Sequence, residues 1–130
     1  MNLNIISIRK SINKAFLKVK PNRTQIEKFK ENILNLYDQI NETESEEFHK
    51  NIISAFLKDT YYSPDHYLNT KGRTDLVIHN GKDSNSSVGV LIETKKPSNK
   101  SEMPSKNNLN SKAVQELILY FLRERFTNKN

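Results

Sequence analysis

Two short apolar runs joined by a polar connection constrain this chain more than any other feature. Leu76, Val77 and Ile78 form the first run, and Val88, Val90, Leu91 and Ile92 lie in the second. All three glycines, Gly72, Gly81 and Gly89, fall in the same stretch, and glycine marks turns and bulges more than element interiors. The pattern predicts a small sheet, with strands at 67–70, 74–79 and 88–94 and residues 80–87 as a hairpin connection. The nearly unbroken apolar character of 88–92 predicts a strand buried on both faces.

Outside this stretch the apolar period changes to three and four. Ile8, Ile12, Phe16 and Val19 form one such series, and Ile26, Phe29, Ile33, Leu36 and Tyr37 a second. Both read as amphipathic helices, parted by Pro21, with Thr24 as the cap of the second. A third helix is expected from Thr43, where Thr43-x-x-Glu46 matches a capping box, through Phe48, Ile52, Ile53, Phe56 and Leu57. A last helix over 111–125 presents Val114, Leu117, Ile118, Phe121 and Leu122. Residues 97–108 are polar, carry Pro97 and Pro104 and show no periodicity, so a loop is expected there. The reading is an α+β chain of two N-terminal helices (1–41) followed by helix, three strands and helix (42–130).

At 130 residues the chain can bury a single small core. The absence of cysteine removes disulfides, thiolate metal sites and cysteine nucleophiles from consideration. The longest apolar run, 117–122, is far shorter than the ~20 residues of a membrane span, and the first twenty residues lack the apolar core of a signal peptide. No membrane association and a cytoplasmic location are therefore expected. Lys and Arg number 21 against 15 acidic residues, a net charge of +6. That excess suits a polyanionic partner. A Lys- and Asn-rich coding bias would produce it equally well.

The chemistry sits inside the strands. Asp75 interrupts an apolar strand, where a carboxylate is costly unless it is paired or holds a metal. Glu93 and Lys95, two residues apart in an extended segment, point the same way, and Asp75 can join them from the neighbouring strand. Lys96 falls on the other face. Two carboxylates offer the hard oxygen ligands Mg²⁺ prefers, and a nearby ammonium can hold a water or a phosphate oxygen. The set reads as metal-assisted phosphodiester hydrolysis. The structural alternative is a strand-edge Asp75 paired with Arg73 or a lysine, together with a solvated Glu93.

Asp75, a spacer and Glu93-x-Lys95 resemble the signature of the PD-(D/E)XK nuclease superfamily. The words Asn69-Thr70-Lys71-Gly72-Arg73-Thr74-Asp75-Leu76-Val77-Ile78-His79, Glu93-Thr94-Lys95-Lys96-Pro97 and Gln115-Glu116-Leu117-Ile118-Leu119-Tyr120 are similar to the N-terminal nuclease region of type IIG restriction enzymes, which fuse endonuclease and methyltransferase in one polypeptide. The resemblance implies a Mg²⁺- or Mn²⁺-dependent endonuclease acting on double-stranded DNA, with methylation and target recognition supplied by further domains of a parent polypeptide. Asp75 and Glu93 would hold metal, and Lys95 would position or help deprotonate the attacking water and stabilise charge on the phosphate. Lys71, Arg73 and Lys96 would contact the nucleic acid. Related enzymes draw a carboxylate from the helix before the sheet and a glutamine from the helix after it. The matching positions are Glu46, which lies at the edge of the apolar face and could equally close the capping box, and Gln115, which could equally be a surface residue. Because the family core continues into a fourth strand and nothing after residue 125 resembles one, the resemblance further implies a core truncated before that strand.

His49, His66 and His79 lack zinc-site spacing and are expected to be structural or surface residues. No Gly-rich phosphate loop or nucleophile elbow is present. Two rival readings remain. One is a catalytically silent nucleic-acid-binding or regulatory module on the same fold. The other is a helical assembly module docking through the first forty residues.

Overall fold

The two apolar runs pair as antiparallel strands. The computed structural model describes residues 6–127, in which β1 (Leu68–Lys71), β2 (Thr74–His79) and β3 (Val88–Ile92) form a sheet of order β1-β2-β3. Lys71 pairs with Thr74, leaving Gly72 and Arg73 as a two-residue hairpin loop. Gly72 has φ +62°, and among the described residues no non-glycine residue has positive φ. Only the first loop position is therefore left-handed, the pattern of a II′ turn with glycine where the backbone requires it. On the other side of β2, Leu76 pairs with Ile92, Val77 with Leu91 and Ile78 with Val90.

Among the described residues four α-helices accompany this sheet in a mixed α/β arrangement: α1 (Ile8–Ser11), α2 (Arg23–Gln39), α3 (Glu46–Leu57) and α4 (Lys112–Thr127). A π-helical turn, Lys58–Tyr62, prolongs α3. Helix α3 packs on β2 and α4 on β3. Helix α2 packs on α3 through Phe29, whose ring meets Phe56 edge-on at 6.2 Å and lies 6.5 Å from Tyr61, geometries favoured by the ring quadrupole. The buried apolar side chains are Ile52, Leu76, Val77, Ile78 and Ala113. The core is thus the central strand with one residue each from α3 and α4.

Several expectations require correction. The expected first helix is broken into α1 and a 3₁₀ turn, Phe16–Lys18. The side chain of Asn13 accepts a hydrogen bond from the Ala15 amide at 3.0 Å, a local turn that competes with helical bonding. Helix α2 is capped by Asn22, in a reciprocal box with Gln25, and not by Thr24. Helix α3 is capped by Ser45, whose Oγ accepts from the Phe48 amide at 3.0 Å. The Thr43 hydroxyl instead donates to Asn41, so Glu46 closes no capping box with Thr43.

β3 is not buried on both faces. It is an edge strand in which Val90 is exposed, and it borders an open groove of about 1000 Å³ shared with Leu117, Ile118, Phe121 and Leu122 of α4. The aperiodic loop holds a 3₁₀ turn, Lys100–Glu102. Residues 128–130, part of the terminal stretch in which no fourth strand is expected, lie outside the described residues.

Candidate active site

The sheet register brings the carboxylates together. Leu76 faces Ile92 across the β2–β3 ladder, so Asp75 and Glu93 are the next opposed pair, one step beyond the end of β3. Side-chain bonding extends the pairing. Asp75 Oδ2 accepts from the Thr94 amide and from the Thr94 hydroxyl, both at 2.8 Å, and this holds the 93–95 segment against β2.

Lys95 then turns inward with Glu93, as strand alternation predicts. Its Nζ donates to Glu93 Oε1 and lies 3.1 Å from Glu116 Oε2, 3.6 Å from Glu46 Oε1 and 3.9 Å from Glu102 Oε2. The Lys95 side chain is 4% exposed and that of Glu93 6%. One buried ammonium therefore serves carboxylates from four parts of the chain: the end of β3, the first turn of α3, the 3₁₀ turn in the loop, and α4. Glu102 is drawn outward as well, toward Lys112 Nζ at 3.3 Å.

Carboxylates outnumber the cation, and the imbalance is felt most at Glu93. Burial pushes its carboxyl up to about 7, with Glu116 and Asp75 adding to the effect and the hydrogen bond from Lys95 opposing it. Burial alone would lower Lys95, but its hydrogen bond to Glu93 and the close Glu116 carboxylate prevail and hold the ammonium above the usual lysine range. Burial would also raise Glu116, yet Lys95 and Glu93 keep it below the usual range. Tyr120 is raised by burial and then by the charges of Glu93, Glu116 and Asp75.

Glu93 Oε2 and Glu116 Oε2 are buried without a hydrogen-bond partner. The 3.1 Å approach of Lys95 to Glu116 is an ion pair in distance but is not aligned as a hydrogen bond. Unsatisfied buried carboxylate oxygens are costly, and their hard-oxygen chemistry suits a divalent cation. Among the described residues no three His, Cys, Asp or Glu side chains are already arranged around a common metal position. The ammonium of Lys95 stands in the middle of the cluster, and Asp75 has one oxygen committed to Thr94.

The other sequence-predicted residues are scattered. Gln115 is exposed, and its Nε2 donates to Asn110 Oδ1 at 2.7 Å at the start of α4. The next residue, Glu116, faces the cluster in its place. Lys71 is engaged by Glu124 at 2.9 and 3.1 Å, Arg73 is exposed in the β1–β2 loop, and Lys96 is half-buried. The histidines make hydrogen-bond contacts within the fold. Buried His79 is held by Ser86 O at 2.8 Å and Asn69 Oδ1 at 3.0 Å, His49 contacts Ser45 O, and His66 contacts His79 O.

Sequence reasoning missed Glu102, Glu116 and Tyr120. Glu116 and Tyr120 stand one helical turn apart, a signal open to reading once α4 is assigned. Glu102 lies in a loop whose sequence carries no period to place it. No helix among the described residues is long and apolar enough to cross a membrane. No curated protein and no solved structure matches the chain. A family match does extend over residues 6–130, and on that extent the chain belongs to DUF7149, described as a domain of unknown function.

Proposed function

We propose that this chain is the Mg²⁺- or Mn²⁺-dependent DNA endonuclease domain of a type IIG restriction-modification enzyme, with the PD-(D/E)XK core as its fold. The observation that carries the reading is the buried Lys95–Glu93 pair set beside Asp75 and ringed by Glu46 and Glu116. Asp75, Glu93 and Glu46 would hold the metal, for which the unpartnered Glu93 Oε2 is the best-prepared oxygen. The metal, when bound, supplies Lewis-acid polarisation of the phosphate.

The chain's own groups do the rest. Water would attack phosphorus as one P–O bond to sugar breaks; solvent takes the proton that the water sheds and returns one to the departing sugar oxygen, leaving a phosphate monoester and an alcohol. Lys95, held charged by its carboxylates, orients the water and stabilises charge developing on the phosphate rather than acting as a base. Glu116 positions Lys95. Target recognition and methylation would lie in other domains of a parent polypeptide, and the setting would be the cytoplasm.

A second reading has its own support. Asp75 is doubly bonded to Thr94, and the Lys95 ammonium already occupies the centre of the cluster, an arrangement suited to a catalytically silent nucleic-acid-binding or regulatory module. Incubation of supercoiled plasmid with Mg²⁺ and with EDTA separates the two. Nicking that requires the metal supports the nuclease; binding without nicking under both conditions supports the silent module.

A further inference from the structure

We infer that a second, basic cleft beside the carboxylate cluster holds a backbone phosphate of the DNA strand flanking the scissile one. This inference rests on the nuclease reading for its choice of substrate. The cleft, about 380 Å³, lies between the β1–β2 hairpin loop and the C-terminal half of α4. Arg73 enters it from the loop, where left-handed Gly72 turns the chain so that Lys71 and Arg73 flank it. Arg123 enters from α4.

Lys71 is anchored to Glu124 by two contacts at 2.9 and 3.1 Å, which ties the hairpin to the helix and sets the two walls. Both guanidiniums are on exposed residues, and among the described residues neither has an ion-pair partner. Two guanidiniums in one cleft are suited to phosphate oxygens, and the one carboxylate that lines it, Glu124, is engaged by Lys71.

The cleft adjoins the cluster through α4. Glu116, Tyr120 and Glu124 follow one another at four-residue spacing on one helical face. Glu116 meets Lys95, and Tyr120 and Glu124 line the cleft with Arg123. From Glu116 to Arg123 the helix rises ~10 Å at ~1.5 Å per residue, so cluster and cleft share one helical face within a few nucleotides' reach. The acidic cluster is suited to a phosphate through a cation and the basic cleft to one directly.

The test is binding of a fluorescently labelled 20-base-pair duplex to the 130-residue chain in EDTA, across a salt series, for the unmodified protein, Arg123→Gln, Arg73→Gln and, as control, Lys106→Gln in the exposed loop. Each arginine variant is expected to lower affinity roughly fivefold to tenfold at 0.1 M salt and to reduce the log K against log salt slope by about 0.9, the loss of one phosphate contact. The control is expected to change neither. An unchanged slope in both arginine variants, or no duplex binding by the unmodified chain, overturns the cleft. The nuclease reading fails separately. A chain that loses binding on Arg123→Gln but never nicks plasmid with Mg²⁺ keeps the cleft and loses the enzyme, whereas one that nicks plasmid and binds equally well without Arg123 keeps the enzyme and loses the cleft.

Discussion

Asp75 grips Thr94 by both its amide and its hydroxyl, each at 2.8 Å. One carboxylate oxygen therefore does the pairing that the β2–β3 ladder stops short of, and the Glu93-x-Lys95 segment is positioned by Asp75 before any ligand arrives.

Removing half of that grip should be measurable. Thr94 is buried, and a hydrogen bond to a charged acceptor contributes about 1.5–3 kcal/mol. Thr94→Val, which keeps the volume and deletes the hydroxyl, is expected to lower unfolding free energy in urea by an amount in that range. Asp75→Ala, which deletes both bonds, should cost more. A loss within error for both variants would contradict this account of the grip.

The two leucines of the sheet should respond differently to truncation. Leu76 is 2% exposed at the centre of the core, so Leu76→Ala is expected to cost about 2–5 kcal/mol. Leu91 lines the open groove beside α4, and its alanine variant should cost less than half as much. Chemical denaturation of the two variants decides the point, and equal losses would mean that the groove is filled.

Stability should also record the strain on Glu93. Its folded-state value is about 7 against an ordinary 4.5. The folded protein therefore holds a proton between those limits that the unfolded chain has lost. That contribution is fully present below pH 4.5 and disappears as pH rises through 7. Glu116, shifted the other way, contributes stability that is present above its unfolded value and lost as pH falls. The melting temperature is expected to rise from acid toward pH 5 and decline by pH 7.5. Glu93→Gln should flatten the decline. Mg²⁺ should also flatten it, because the cation competes with the proton. A melting temperature that climbs steadily to pH 8 in the unmodified protein would contradict this assignment.

The parts of the site carried by strands were legible because a period of two leaves no choice of face. Once 74–79 and the segment after Val88 are extended, Glu93 and Lys95 must share a side, and the register delivers Asp75 to them. The helical contributions were less legible. Gln115 and Glu116 differ by 100° around α4, and the apolar positions of that helix are themselves exposed toward the groove, so the pattern does not reveal which of the two points at the sheet. The broken N-terminal helix was hidden for a related reason: Ile8, Phe16 and Val19 keep a helical spacing, yet all remain exposed, and Asn13 redirects the backbone locally. Continuous apolar character misled at β3 because Val90 faces the groove rather than a second layer of core.

The most direct measurement is the rate at which supercoiled plasmid is nicked in Mg²⁺ by the unmodified chain, by Glu93→Gln and by Gln115→Ala. Glu93 is the buried carboxylate with an unpartnered oxygen, while Gln115 only meets Asn110 at the helix start. Loss of a group that stabilises transition-state charge costs on the order of a hundredfold to a thousandfold. The expected result is sequence-tolerant nicking that falls by at least about a hundredfold in Glu93→Gln and stays within about twofold in Gln115→Ala. Nicking that survives the loss of the Glu93 carboxylate, or that is absent from the unmodified chain, would contradict the assignment of this cluster as a nuclease centre.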